Sequence, residues 1–289
     1  MKTLKQYIEK AYREKVALGH FNIAELSGFK AVVESATELN LPVIIGTSEG
    51  ERDFIGAENA VSLVYNLREN HDLPIFLNAD HTYSLEKVKE AALFGYDSII
   101  FDGAKLPYEE NIKQTREAVK IAKDINTDII VEGELGYIGQ SSALLEKLPE
   151  GAQVSDEMLT SASQAAEFIK ETGVDLFAPA VGNIHGMLSN APNPALNIAR
   201  IKEIAEAVSV PLVLHGGSGL RDEEFVAAAQ NGMAIIHIST EIRLAWRRGL
   251  ERALAEKPRE VAPYKLLSSS MEDMKKVILQ RLRLFTGLK

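Results

Sequence analysis

The chain of 289 residues carries 32 Lys and Arg against 41 Asp and Glu, which gives a net charge of −9 at pH 7. Its 46% hydrophobic and 25% charged residues are ordinary for a globular protein and argue against a mostly disordered chain. The acidic balance disfavours a nucleic-acid partner, and the absence of cysteine excludes disulfides, thiolate metal sites and thiol nucleophiles.

The segment 1–15 has a charge every few residues and no apolar stretch of the kind found in signal peptides. No apolar run approaches the ~18 residues that a membrane-spanning helix needs. We therefore expect a cytoplasmic protein with no membrane partner.

Short apolar, β-branched runs alternate with amphipathic stretches along the chain. After a helix over 3–14, the pattern predicts strands at 16–22, 42–48, 74–81, 98–103, 128–136, 176–182, 211–216 and 235–240. Each strand is followed by a predicted helix, at 26–40, 57–70, 84–95, 107–125, 161–173, 195–208, 221–232 and 241–257. A last helix is predicted over 270–287. Ser84 and Gly95 suit the two ends of the third of the eight barrel helices.

The predicted strands are nearly continuous apolar runs, which is typical of strands buried on both faces. Eight such βα units in about 250 residues favour a (β/α)8 TIM barrel over a doubly wound sheet. Nothing resembles a linker, so residues 1–289 are expected to form one domain. The single long connection, from about Tyr137 to Thr160, is predicted to be a lid or binding loop, or else a variable insertion.

Active sites of such barrels lie at the carboxyl ends of the strands, and here those ends are rich in polar residues. Five of the six histidines fall there, whereas His71 is interpreted as a surface residue after the second barrel helix. The polar residues at the strand ends include His20, Asn22, Ser48, Asn78, Asp80, His81, Asp102, Glu132, Glu134, His185, His215, His237, Ser239 and Thr240. Burying so many ionisable groups without a task is costly, so a metal site is the simplest explanation.

His81, His185 and His215 are the natural ligands, because neutral imidazole suits Zn²⁺ and three protein ligands leave a position open for substrate. They lie far apart in the sequence, so only the barrel would bring them together. Asp80 directly precedes His81 and becomes a candidate base if the strand end turns both side chains towards the barrel mouth.

A phosphate site is predicted after the seventh and eighth strands, the usual place in such barrels. The segment His215–Gly219 offers consecutive backbone N–H groups and the hydroxyl of Ser218, although it could also be a plain turn. Ser239 and Thr240 lead into a helix whose N-terminus favours negative charge.

Motifs over essentially the whole chain resemble those of the class II, metal-dependent fructose-bisphosphate and tagatose-bisphosphate aldolases. In order, these motifs are GHFNI, PVIIGTSEG, NADH, SIIFDGAKLPYEENI, VEGELG, VGNIHG, PLVLHGGSGL and NGMAIIHISTE, with RLRLFTG near the end.

The resemblance implies Zn²⁺ held by His81, His185 and His215, with Asp80 as the acid/base group. It places Asp102 and Glu134 at an alternative metal position or at one for a second divalent or monovalent cation. It also implies substrate-binding positions at Asn22, Ser48, Gly186, Gly216, Gly217, Ser218, His237, Ile238, Ser239 and Thr240. Most of these would hold the phosphate of dihydroxyacetone phosphate.

The reaction implied is a glycolytic one, cleavage of fructose 1,6-bisphosphate to dihydroxyacetone phosphate and glyceraldehyde 3-phosphate through a metal-stabilised enediolate. The resemblance also implies a homodimer or homotetramer. Arg281 and Arg283 either belong to an ordinary amphipathic helix or reach a second phosphate from a neighbouring subunit.

Four stretches depart from the family's usual pattern. Asn78 replaces the first His of His-x-Asp-His, and Ile235 and His237 replace a Lys and an Asn of the last strand. The stretch 139–143 lacks the lid's Glu-Asp pair, and residues 23–25 replace x-Asn-Asn. Three hypotheses stay open: a bisphosphate aldolase that tolerates these changes, an aldolase with a different aldehyde partner (for tagatose bisphosphate or another ketose phosphate), and a catalytically silent sugar-phosphate-binding protein.

Overall fold

The structure, a computed structural model, describes residues 2–71 and 73–288, with His71 described by its backbone alone. The predicted surface position of the His71 side chain therefore lies outside the described residues. The strands are β1 (Leu18–Asn22), β2 (Val43–Thr47), β3 (Ile75–Thr82), β4 (Ser98–Phe101), β5 (Ile130–Leu135), β6 (Leu144–Leu145), β7 (Leu176–Pro179), β8 (Met187–Leu188), β9 (Leu212–Leu214) and β10 (Met233–Ile238). The helices are α1 (Leu4–Glu14), α2 (Leu26–Leu39), α3 (Glu49–Ile55), α4 (Ala57–His71), α5 (Leu85–Phe94), α6 (Tyr108–Ile125), α7 (Ala162–Thr172), α8 (Ile198–Ala207), α9 (Asp222–Gln230), α10 (Thr240–Glu256) and α11 (Pro263–Thr286).

Eight parallel strands close into a barrel in the order β1-β2-β3-β4-β5-β7-β9-β10 and back to β1. This confirms the predicted (β/α)8 barrel, with α1 as the extra N-terminal helix and α11 as the C-terminal extension. Where the barrel closes, β1 pairs with β10 so that His20 lies opposite His237. The first and last strands thus bring two of the six histidines side by side.

Two apolar clusters hold the barrel together. The larger one lies between the strands and the surrounding helices. The smaller one fills the barrel interior, where Ile44, Phe76 and Ile235 meet Leu4 and Ile8 of α1. Because α1 adds its apolar face to this interior cluster, it closes one end of the barrel, and each side chain that it buries there contributes roughly 1.5–3 kcal/mol.

Most element positions agree with the sequence pattern, and the ends of α5 show why. Ser84 accepts a hydrogen bond from the Lys87 N–H at the start of α5, and Gly95 ends the helix in the left-handed conformation at φ +96°. The apolar face of α5 does not determine where the helix begins and ends, but these two capping residues do.

Three elements differ from the predictions. The last helix begins at Pro263, earlier than the predicted residue 270, and Pro263 occupies its first turn, where a missing N–H costs nothing. The short helix α3 was not predicted at all. The connection from Tyr137 to Thr160 contains β6, which pairs with β8 and so ties this loop to the segment that follows β7. Within the described part of the chain, every helix is too short or too polar to cross a membrane.

Candidate active site

The strand β3 is irregular where it reaches the mouth of the barrel. Its pairing with β4 shifts between Ala79 and Thr82, and His81 has a φ of +42°, in the left-handed region that favours glycine. Regular strand geometry would point Asp80 and His81 to opposite faces. The bulge instead lets both line one cavity at the mouth, as the sequence analysis expected.

The structure brings His81, His185 and His215 together from three different strand ends. Each offers a ring nitrogen, and these nitrogens lie within 4.8 Å of one another. His81 Nε2 is 3.3 Å from His215 Nδ1, while His185 Nε2 is buried and has no hydrogen-bond partner.

These three residues fit a metal ion. Two nitrogens bound tetrahedrally to one Zn²⁺ at about 2.0–2.1 Å lie about 3.3–3.4 Å apart, which matches the separation between His81 and His215. A buried, unpartnered nitrogen on His185 is costly unless something binds it. The cluster is therefore a candidate metal centre.

Carboxylates lie behind two of these rings. Asp102 Oδ2 is 2.9 Å from His81 Nδ1, and Glu132 Oε1 is 2.7 Å from His215 Nε2. Each carboxylate thus faces the nitrogen on the far side of the ring from the centre, which fixes the tautomer of the histidine and orients it. Sequence reasoning saw Glu132 at its strand end but did not assign it to the site, although its spacing of two from Glu134 places both on the same face of β5.

Glu134 and Asp102 both lie close to the three histidines. Glu134 Oε2 is 3.5 Å from His81 Nδ1 and 3.8 Å from His215 Nδ1, and it is buried without a hydrogen-bond partner. His81, Asp102 and Glu134 form a second group whose ligand atoms lie within 4.8 Å of one another. The two carboxylates predicted for an alternative or second cation are thus within reach of one.

Burial and neighbouring charge shift the pKa values of these groups in ways that a cation would relieve. Burial, together with the charge of Asp102, raises the pKa of Glu134 to about 8. Burial also lowers the pKa of His185 well below its ordinary value. Burial acts in the same direction on His81, but three carboxylates outweigh it and raise its pKa well above the ordinary value.

Asp80 lies beside the candidate metal centre. One of its carboxylate oxygens accepts a hydrogen bond from a side chain, and the other is free. Its Oδ2 accepts a hydrogen bond of 2.8 Å from Asn22 Nδ2. Its Oδ1 is buried without a hydrogen-bond partner, 3.4 Å from His237 Nδ1 and 3.8 Å from His81 Nε2. Burial raises the pKa of Asp80, but His81 and His237 outweigh it and keep that pKa well below its usual range. The arrangement suits a carboxylate that accepts a proton.

Two of the departures from the family pattern are connected through His20. Its ring stacks on His237 at 3.5 Å between centroids, and His237 stacks in turn on His215 at 4.2 Å. His20 Nε2 lies 3.1 Å from Asn78 Oδ1, and Asn78 donates to Ser98 Oγ at 2.7 Å. Burial lowers the pKa of His20 to about 4, so this ring is neutral near pH 7. The changes at Asn78 and His237 therefore belong to one packed assembly.

Ile235 also departs from the pattern of the resembling family, but it lies in a different part of the barrel from Asn78 and His237. Its side chain is 3% exposed and belongs to the apolar cluster inside the barrel. A lysine of relatives is thus replaced by a packing residue, away from the stacked histidines.

The predicted phosphate loops meet at the same mouth. Gly186, Gly216, Ser218, Ser239 and Thr240 all line the cavity that Asp80 and His81 enter. The backbone of Gly216 is left-handed, at φ +61°, and an added Cβ would lie 2.2 Å from a backbone oxygen, so only glycine fits. Ser239 Oγ is buried without a partner and is free to donate to a ligand.

Three predicted phosphate residues are partly engaged within the chain. Ser218 Oγ accepts from the N–H groups of Ser239 and Glu241, at 3.3 and 3.2 Å. The Gly217 N–H donates to the His237 carbonyl at 3.2 Å, and the side chain of Ile238 packs in the large apolar cluster. Their phosphate contacts stay predictions, with Gly217 and Ile238 able to act only through backbone groups.

An outer cavity of about 370 Å³ adjoins the metal centre and is lined by Asp80, Ser48, Glu51 and Arg243, among others. Glu51 Oε2 accepts from Asn22 Nδ2 at 3.0 Å and from the Ser48 N–H at 2.8 Å. Arg243 donates to Glu51 Oε1 at 2.7 Å and to the carbonyl of Ser142 in the long loop at 3.2 Å. Sequence reasoning missed Glu51 and Arg243. The capping-box spacing of Ser48 and Glu51 could have indicated α3 and Glu51, whereas no motif identifies Arg243.

Comparisons with known proteins agree with this architecture. A family model described as "Fructose-bisphosphate aldolase class-II" matches residues 2–287. A fructose-bisphosphate aldolase of Geobacillus stearothermophilus is 32% identical over 286 residues, covering 98% of this chain and 96% of that protein.

Solved structures give the same result. The YdjI aldolase from Escherichia coli K12 superposes with a TM-score of 0.82 at 30% identity, over 98% of this chain and 96% of that one. A putative fructose-1,6-biphosphate aldolase from Coccidioides immitis superposes with a TM-score of 0.84 at 24% identity, over 98% of this chain and 95% of that one, and this likeness supports the fold alone.

Proposed function

Since the chain belongs to the class II fructose-bisphosphate aldolase family, a family of lyases, we propose that it cleaves a ketose phosphate into dihydroxyacetone phosphate and an aldehyde. The observation that carries the proposal is the free, buried oxygen of Asp80 beside three clustered histidines. The first substrate expected from the resemblance is fructose 1,6-bisphosphate, whose aldehyde half is glyceraldehyde 3-phosphate.

We further propose that His81, His185 and His215 hold a Zn²⁺ ion. When bound, such an ion supplies a Lewis acid that stabilises negative charge on the substrate's ketone and hydroxyl oxygens. Asp102 and Glu132 orient two of the rings through their far nitrogens, and Glu134 supplies a neighbouring negative charge.

Asp80 acts as the acid/base group in this proposal. Its free Oδ1 takes the proton of the substrate's C4 hydroxyl while the bond between C3 and C4 breaks. The electron pair of that bond stays on the dihydroxyacetone phosphate half, the aldehyde leaves, and C3 then takes a proton from solvent to complete the ketone product. Asn22 holds the other oxygen at 2.8 Å and so fixes the direction in which Oδ1 points.

The ketone half lies in the inner cavity, where Gly186, Gly216 and the start of α10 surround its phosphate. The N-terminus of α10 favours the negative charge, and the hydroxyl of Ser239 points into the same cavity without a partner. This phosphate fixes the distance between the substrate's reacting carbons and Asp80.

The test is to incubate the zinc-loaded protein with a panel of ketose phosphates and to trap released dihydroxyacetone phosphate. We expect cleavage that a chelator abolishes and that Asp80→Asn reduces at least about 100-fold, because the amide cannot accept the proton. Glu58→Gln, an exposed residue of α4, is the matched control and should leave the rate unchanged.

Two results would contradict the proposal. If no ketose phosphate is cleaved but dihydroxyacetone phosphate binds, the protein is a sugar-phosphate-binding homologue. If Asp80→Asn retains the full rate, another group carries the proton.

A further inference from the structure

The outer cavity is where the aldehyde half of the substrate has to lie. Asp80 and His81 line both the inner and the outer cavity, whereas the phosphate loops line only the inner one. If the ketone half occupies the inner cavity, the carbons beyond the bond that breaks extend past Asp80 into the outer one. The charges around the outer cavity therefore bear on which aldehyde fits.

Those charges are predominantly negative. Glu49, Glu51 and Asp80 all line the outer cavity. Glu49 Oε1 accepts a 2.9 Å hydrogen bond from the Tyr83 N–H, which holds the carboxylate at the cavity wall. Among the described residues Glu49 has no ion-pair partner, so its charge is not neutralised by the protein.

The cation that lines this cavity is already used. In the described part of the chain, Arg243 is the one Lys or Arg in the cavity wall. Its two terminal nitrogens donate to Glu51 and to the Ser142 carbonyl. Glu51 is 5% exposed, so moving Arg243 onto a ligand would leave a buried carboxylate unpaired, which is strongly unfavourable.

Two further cations are also engaged. Arg281 donates to both oxygens of Glu241 and to Asp222, at 2.7–3.0 Å, and its own chain thus holds the side chain that could have reached a phosphate in a neighbouring subunit. Lys105 hydrogen-bonds to Gln140 in the long loop.

At the N-cap of α3, one backbone N–H is already bonded within the chain. The N–H of Ser48, which opens towards the cavity, is bonded by the carboxylate of Glu51. Two aromatic side chains of the cavity wall are exposed instead, Phe54 by 77% and Tyr83 by 41%. Aromatic faces of this kind pack against the C–H faces of a sugar rather than against a phosphate.

We propose that the aldehyde partner is an uncharged hydroxyaldehyde, so that the substrate is a ketose 1-phosphate rather than a bisphosphate. This inference rests on the proposed aldolase activity and on the unneutralised carboxylate of Glu49, which lines the outer cavity. A second phosphate would stand beside Glu49 and Asp80, where the one Lys or Arg of the described cavity wall, Arg243, is paired with Glu51. The roles proposed above for the zinc ion and for the ketone half of the substrate are unchanged.

The decisive experiment compares two ketose phosphates that differ only in the distal phosphate. Fructose 1-phosphate and fructose 1,6-bisphosphate serve as one pair, and the 1-phosphate and 1,6-bisphosphate of the C4 epimer tagatose as another. We expect kcat/KM for the better monophosphate to exceed that for its bisphosphate by about tenfold or more. A higher kcat/KM for the bisphosphate in both pairs overturns the inference.

A variant tests whether the negative charge of Glu49 disfavours the bisphosphate. Glu49→Gln keeps an acceptor for the Tyr83 N–H but removes the charge, so the ratio of bisphosphate to monophosphate kcat/KM should rise about fivefold. Asp53→Asn is the matched control, because Asp53 lies on the same helix, contacts Lys87 at 3.6 Å and does not line the cavity. An unchanged ratio in Glu49→Gln, or an equal rise in Asp53→Asn, contradicts the inference.

A separate measurement distinguishes failure of this inference from failure of the aldolase proposal. Exchange of a C3 proton of dihydroxyacetone phosphate with solvent needs no aldehyde and reports on the ketone half alone. If exchange occurs and only the bisphosphates are cleaved, or neither class is cleaved, the proposal of an uncharged aldehyde partner is wrong. The proposed role of the ketone half is then retained. If exchange is absent and nothing is cleaved, both proposals fail.

Discussion

At the scale of single residues, the carboxylates behind the histidines decide which ring nitrogens face the centre. Glu132 is 2% exposed and lies 2.7 Å from His215 Nε2, so the Nδ1 of that ring is left to face His81 and the cavity. Burial raises the pKa of Glu132, while the His215 contact lowers it and keeps the charge shared between them. A buried pair of this kind would influence a metal ion held by His215 without contacting it.

We expect Glu132→Gln to weaken zinc binding about 10- to 100-fold, because the amide holds the ring less firmly and makes it a weaker base. Competition with a fluorescent chelator measures the affinity, and Glu58→Gln serves again as the control. Unchanged affinity would show that His215 needs no partner on its far side.

The neutral state of His20 predicts a pH dependence of stability. Burial lowers its pKa to about 4, against about 6.5 in the unfolded chain, so between these values the unfolded state binds more protons. The folded protein therefore loses stability as the pH falls from about 6.5 to 4, by about 3 kcal/mol from this residue alone.

His20→Gln removes this contribution while keeping a donor for Asn78. Its free energy of unfolding, measured by urea denaturation relative to the parent, should improve progressively from pH 7 to pH 4. A difference that stays constant over that range would contradict the assignment of a neutral ring.

At the scale of elements, the sequence predicted what periodicity and local capping determine. Buried parallel strands show continuous apolar runs, and α5 is bounded by Ser84 and Gly95 as expected. The helix α3 has a capping box formed by Ser48 and Glu51, but its seven residues include four charged ones and show no apolar stripe, so the periodicity did not predict it. Tertiary contacts also hold it: Arg52 is buried and donates to the carbonyls of Thr47 and Asp80, where β2 and β3 end.

The residues of the candidate site also divide into those that the sequence predicted and those that it did not. Residues at strand ends, such as His81, His185 and Asp80, could be chosen from the sequence because the barrel rule gives their place. The pairings of Asp80 and Glu51 with their partners could not, because hydrogen bonds between side chains far apart in sequence depend on exact distances. Arg243 shows this most clearly, since it contacts Glu51 across 192 positions of the chain.

Arg243 also connects two elements, the helix α3 and the long loop with β6. Arg243→Met should loosen that loop, because it leaves Glu51 without its ion pair and Ser142 without a donor. We expect proteolysis within residues 137–160 to become about tenfold faster, since a free energy of about 1–2 kcal/mol is lost from the closed state.

Arg247→Met is the matched control for this experiment. Arg247 lies one turn further along α10, and among the described residues its ion pair is with Glu251, both side chains being well exposed. Equal rates of cleavage in the two variants would show that Arg243 does not hold the loop.

At the scale of the whole molecule, the barrel agrees with the prediction and follows from eight repeats of one pattern. Both terminal helices are present as predicted, although the last one begins earlier than expected. The predicted homodimer or homotetramer and the cytoplasmic location stay predictions, because they depend on surfaces and surroundings rather than on the fold of one chain.

A metal shared by three strands predicts a gain in global stability. Zinc at about 100 times its dissociation constant should stabilise the folded state by about 2.7 kcal/mol, which raises the melting temperature by about 4–8 °C. In His185→Ala the gain should be much smaller, because one of the three ligands is missing. Differential scanning calorimetry measures the zinc-induced shift in melting temperature of each protein. Equal shifts for the two proteins would show that the ion is bound elsewhere.

The pairing of β1 with β10 has a consequence for the protein's synthesis. While the ribosome is still making the chain, β1 has no neighbour on one side, because its partner lies more than two hundred residues downstream. The stack of His20 on His237 crosses this seam, so the constellation around Asp80 is complete only when the nascent chain has nearly emerged. Until then the unfinished barrel has an open, apolar strand edge, and an edge of this kind favours association with other chains.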